Sequence, residues 1–223
     1  LVAVNKALKS TDAPFAEAAI AIKSEILMKQ GKNIDAMDTY KSLEAKASST
    51  DTKVIANLGI LRASADAKKW DDVNAAAEKL LQIGGLSADG ENEVTFHRAL
   101  AAQNLGNDKT AVKYYSQLAK SPASLYGARA AYNLAQMQYE NKEYKTAEKS
   151  LNSFIDNGTP HQYWLAKAFI LLSDVYHKQN RDWEACEYLE SLKVNYPGSE
   201  SEIFKAIDQR LSEWKTTSKS KKK

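Results

Sequence analysis

Apolar and polar positions alternate along this chain in a pattern that returns five times. A small or β-branched residue is followed four positions on by a bulky or apolar one, and three further on by another apolar one. The matches are Ala36, Tyr40, Leu43; Val73, Ala77, Leu80; Ala111, Tyr115, Leu118; Ala147, Leu151, Phe154; and Ala185, Leu189, Leu192. Successive lead residues are 37, 38, 36 and 38 positions apart. Spacings of three and four put each triplet on one face of a helix. A regular period in this range marks stacked repeats, each burying its apolar face against its neighbours.

Each unit reads as two helices. In the fourth, Ala130, Ala131, Leu134, Ala135 and Met137 carry helical spacing between Tyr126 and Tyr139, and a polar turn, Glu140 to Glu143, leads into a second helix from Tyr144 to Ile155. Asn157-Gly158 then stops it, since glycine takes a left-handed cap at no steric cost. The other units are predicted over residues 13–47, 51–83, 91–120 and 161–195, with inner turns at Gly31, Lys68-Lys69-Trp70, Gly106 and Asn180. After Pro197-Gly198, Ile203, Ile207 and Leu211 form one stripe of a lone helix ending near Trp214. A single amphipathic helix there suits a terminal cap. Four parts follow: residues 1–12 as the end of a preceding helix or repeat, 13–198 as five repeats, 199–214 as capping helix, and 215–223 as a disordered lysine-rich tail.

The motif positions resemble the tetratricopeptide repeat (TPR). In the fifth unit Leu172-Ser173 and Tyr176 fall where that family has its first-helix Leu-Gly and Tyr, Ala185 and Leu189 lie in the second helix, and Asn195-Tyr196-Pro197-Gly198 makes the exit. The fourth gives Leu134-Ala135, Tyr144, Ala147 and Leu151; the third Ala99, Gly106, Ala111 and Tyr115; the first Gly31, Ala36 and Tyr40. The second departs most, with Val73 for the small residue and no glycine in its turn. The resemblance implies an all-α fold, a right-handed TPR-type superhelix of about five helix-turn-helix repeats with a C-terminal capping helix. Residues 166–214 also look like the end of large bacterial envelope TPR proteins, which implies a periplasmic or outer-membrane-associated setting; the cytoplasm is the alternative.

In the TPR family the first helices line a concave groove that holds a partner's peptide or helix. The candidate contact residues that follow are Tyr132 and Tyr139, seven apart on one first helix, with the polar first-helix residues Arg62, Gln103, Arg129, Asn133, Gln136, Lys167 and Asp174. Tyrosine suits recognition because it offers large area with few rotatable bonds. Tyr115 and Tyr144 fall at packing positions and are expected in the core. The ordered Lys/Asn/Arg set of chaperone-tail receptors is not found in phase.

Charge bears on the class of partner. The chain carries a net +3, but the five lysines at 215, 219, 221, 222 and 223 supply more than all of it, leaving residues 1–214 at −2. A phosphate-binding surface needs a cationic stripe, so a nucleic-acid binder aided by the tail is the lesser reading. An enzyme's accessory domain is a third. The Asp35/Asp38 and Glu187/Glu190 pairs read as solvated helix faces, His177 near Asp174 is too few ligands for zinc, and no Walker A, Gly-x-Gly-x-x-Gly or Gly-x-Ser-x-Gly motif occurs. The expectation is a non-enzymatic scaffold for protein partners, with no cofactor, no metal and no membrane span. Cys186, the single cysteine, reads as a small buried thiol.

Overall fold

The computed structural model describes residues 13–220; the stretch 1–12, expected to close a preceding helix, and residues 221–223 lie outside the described residues. Among the described residues there are eleven α-helices: α1 Ala13–Lys29, α2 Asn33–Lys46, α3 Thr50–Asp66, α4 Trp70–Ile83, α5 Ala88–Asn104, α6 Asp108–Leu118, α7 Leu125–Glu140, α8 Tyr144–Asn157, α9 Gln162–Lys178, α10 Asp182–Asn195 and α11 Ser201–Ser220. All fifteen residues of the recurring triplets are buried, at 0–9% exposure. The period therefore records packing, including at Val73, which is fully buried.

Local chemistry sets the helix ends. Ser49, Ser87 and Ser124 each accept a hydrogen bond from the backbone N–H three residues on, at 3.1, 3.2 and 3.0 Å, and so cap the first helices α3, α5 and α7. Between the two helices of every repeat one residue turns left-handed: Gly31, Lys68, Gly106, Lys142 and Asn180, with φ between 58 and 76°. The following amide donates back to the carbonyl five residues earlier, as in Lys69 N–H to Ser64 O at 2.8 Å and Glu143 N–H to Gln138 O at 2.8 Å. This paired closure satisfies carbonyls that the helix end leaves free.

The described residues divide into two compact units, one running to Tyr114 and the other starting at Tyr115. In the first, α1 to α5 pack each on the next, and the first helices α1, α3 and α5 also touch in sequence. Its core holds Met37, Tyr40, Leu43, Ile60, Leu61, Val73, Leu80 and Val94. In the second, α7 to α11 repeat this arrangement, with α7, α9 and α11 in contact in turn. Leu151, Phe154, Leu172, Val175, Leu189, Ile203, Ile207 and Trp214 fill its core. The last helix buries Ile203, Ile207, Leu211 and Trp214 against the fifth repeat. Its backbone stays helical to Ser220, six residues past the boundary expected at Trp214. No glycine or proline follows Trp214 to end it. Cys186 is half-buried on α10 rather than enclosed.

Candidate protein-interaction face

The first helices of repeats four and five, α7 and α9, carry a cation three residues after an aromatic side chain at equivalent positions. Tyr126 is followed by Arg129, and Trp164 by Lys167. Three residues along a helix places both side chains on one face. The Arg129 guanidinium carbon lies 5.5 Å from the Tyr126 ring centre and the Lys167 ammonium 5.1 Å from that of Trp164. Arg129 also reaches the Trp164 ring from the neighbouring helix, at 5.6 Å, so one indole has two cations beside it. In repeat three the same positions hold Gly90 and Glu93, and the pair is absent.

Around Lys167 the rings make three walls. Tyr132 on α7 lies 4.5 Å from its ammonium and Tyr163 lies 5.7 Å away, in addition to Trp164. The rings support one another: Tyr132 and Trp164 centres are 5.6 Å apart, and Tyr163 meets Trp164 edge-on at 5.2 Å. Rings at such distances attract cations through their quadrupoles. Burial pushes the Lys167 amine below its ordinary value and the Tyr132 phenol up to about 12. The Tyr163 hydroxyl donates to Glu202 on α11 at 2.5 Å, which raises that phenol to about 12 as well. Arg210 on α11 grips Asp174 with two bonds, Nε to Oδ1 at 2.6 Å and Nη2 to Oδ2 at 2.7 Å. These groups border a cavity of about 210 Å³ lined by Tyr132, Tyr163, Lys167, Asp174, Glu202 and Arg210, with Ile170, Leu171, Ile203 and Ala206 beneath.

The candidates named from sequence separate into two sets. Arg129, Tyr132, Lys167 and Asp174 meet at this face. The others have local duties. Tyr139 is half-buried and packs on Tyr144 with ring centres 5.6 Å apart. Tyr132, expected to be open to solvent, is likewise only partly exposed and packed against the core. Tyr115 is fully buried as expected, while Tyr144 is half-buried at the core's edge. Asn133 donates to the Tyr115 hydroxyl at 3.2 Å, and Gln136 to Glu140 at 3.0 Å. Arg62, in the other unit, forms a two-bond pair with buried Glu93 at 2.5 and 2.7 Å. Gln103 is half-buried on α5. His177 pairs with Asp182 at 2.7 Å and stacks on Trp214, with ring centres 4.4 Å apart; Asp174 is taken by Arg210 instead. Among the described residues no cluster of three or more metal-ligating side chains occurs, and no helix is long and apolar enough to cross a membrane.

Tyr163, Trp164, Glu202 and Arg210 were not singled out by the sequence. The signal that finds one of them, Trp164, is the aromatic–cation pair, recurring 38 positions apart at residues 126 and 164.

The tetratricopeptide-repeat family's sequence model matches residues 93–124 and 162–199. Three solved structures share the fold. BtubC (BKLC) from P. vanneervenii superposes with a TM-score of 0.68 at 16% identity, covering 93% of this chain and 90% of its own. The nearly identical TPR-like repeats of a Podosopora anserina putative kinesin light chain give 0.61 at 15%, covering 79% and 93%. YrrB, described as a TPR protein with an unusual peptide-binding site, gives 0.54 at 15%, covering 92% and 98%. No curated protein matches the chain. The fold class is all-α, built from helix-turn-helix repeats of the kind seen in TPR proteins, whose sequence pattern two stretches of the chain carry. Such proteins serve as platforms for protein–protein interaction.

Proposed function

We propose that this chain is a non-enzymatic scaffold that holds an extended peptide or a helix of a partner protein against the first-helix face of repeats four and five. The observation that carries the reading is the doubled aromatic–cation pair, Tyr126 with Arg129 and Trp164 with Lys167, set beside the Tyr132 ring. The pairs are peculiar to these two repeats, whereas the packing triplets occur in all five. Partly exposed aromatic and arginine side chains on a rigid frame are what protein recognition favours. YrrB, of the same fold, is described by a peptide-binding site, which supports binding of this kind. The resemblance of residues 166–214 to envelope proteins supports a partner in a bacterial envelope complex, at the periplasmic or outer-membrane side.

A photo-reactive residue in place of Gln136 on α7, with a control in place of exposed Lys149 on α8, tests this in the protein's own cells. The expected result is a small, reproducible set of envelope proteins cross-linked from position 136 and missing from 149. Cross-links from 149 alone, or nucleic acid as the captured species, would overturn the reading.

A further inference from the structure

The Lys167 ammonium lacks what a half-buried cation requires. It faces the rings of Tyr132, Trp164 and Tyr163 at 4.5, 5.1 and 5.7 Å, and aromatic faces offer it no hydrogen-bond acceptor. Of the two carboxylates bordering its cavity, Asp174 is taken by two bonds from Arg210, and Glu202 accepts the Tyr163 hydroxyl on one oxygen and forms no bond to the ammonium. No ion pair or hydrogen bond of the Lys167 side chain is found among the described residues. Glu202 attracts its charge through space without bonding to it, and Arg129, which shares the Trp164 ring, opposes it more weakly. The three N–H donors of a lysine and one positive charge are thus left facing a cavity.

We infer that Lys167 receives a side-chain carboxylate, an aspartate or glutamate of the bound partner segment, which enters the cavity between α9 and α11. This rests on the interaction-face reading above and gives that partner its chemistry. A volume of about 210 Å³ is below the roughly 300 Å³ of the smallest ordinary ligand pockets, so it takes one side chain rather than a length of chain. A basic side chain would meet the Lys167 ammonium with like charge, and Asp174 is already taken by Arg210. An apolar one would strip water from the ammonium and return no partner, which is costly for a buried charge. A carboxylate supplies both the charge and the acceptors. The aromatic walls hold the ammonium in place beforehand, so little side-chain freedom is lost on binding.

The test uses the chain as it stands, with a displayed library of random dodecapeptides whose C-termini are blocked. Selected peptides are expected to share one acidic residue. Changing that residue to Asn or Gln should weaken binding at least tenfold, and Lys167→Gln should cost the same without adding to it. Lys167→Arg should retain most affinity, Lys149→Gln all of it, and added salt should weaken the native pair more than either neutral variant. The peptide-side change keeps the result independent of whether Lys167→Gln folds normally. Peptides that bind this face, competed by Trp164→Ala, yet carry no shared acid would overturn the carboxylate while leaving the interaction face intact. Peptides bound elsewhere, or none selected, would overturn both.

Discussion

Tyr40 occupies the space that a side chain on Gly59 would need. A Cβ added at Gly59 would stand 2.3 Å from Tyr40 Cε1, in a helix where the backbone conformation itself would accept alanine. One pair of residues in the other unit meets the same demand by different means. Tyr115 stands in its triplet where Tyr40 stands in the first, and Asn133 stands fourteen residues before its repeat's lead, as Gly59 does. There the aromatic ring is answered by a hydrogen bond from Asn133 to the phenol, at 3.2 Å, instead of by empty space. From sequence alone a polar residue on a first helix reads as groove-facing, and only the partner's position shows otherwise. The sign of one substitution follows. Gly→Ala in an open helix interior stabilises by about 1 kcal/mol, whereas Gly59→Ala should destabilise by roughly 1–3 kcal/mol through overpacking against the ring. Urea unfolding measures it, and a stabilised variant would contradict the contact.

At the scale of elements, the turn inside each repeat shows how much of the fold was legible. Gly31 and Gly106 announce a left-handed residue, because only glycine enters that region freely. Lys68, Lys142 and Asn180 adopt the same conformation at the same distance, five residues before the lead residue of the second helix. Nothing intrinsic to lysine suggests this. The turn is imposed by the paired hydrogen bonds and by two helices that must pack whatever residue joins them. The apparent departure of repeat two is therefore one of composition, and its geometry is that of the others. Lys68→Gly and Lys142→Gly should each raise stability by roughly 0.5–1 kcal/mol, the relief of a strained φ less the added freedom of the unfolded chain. Gly106→Lys should act in the opposite direction. Thermal unfolding of the three variants gives the answer, and matching signs for all of them would refute it.

For the molecule, core and interaction face were unequally visible because they obey different rules. The core follows the period: the triplets of Ala36, Val73, Ala111, Ala147 and Ala185 recur because each repeat buries the same positions. The face breaks the period. Its aromatic–cation pairs occur on α7 and α9, are replaced by Gly90 and Glu93 on α5, and are completed by Glu202 and Arg210 from a capping helix that belongs to no repeat. Lys167 and Asp174 could be named as polar first-helix residues, but their opposite states, one paired and one bedded on rings, are decided by side chains 35 to 36 positions away. The most direct measurement is hydroxyl-radical footprinting of the chain free and in complex with its cross-linked partner. Trp164, Tyr163 and Tyr132 should lose reactivity, while Trp183, 75% exposed on the second helix α10, keeps its own. Protection of Trp183 with Trp164 unchanged would contradict binding at the first-helix face.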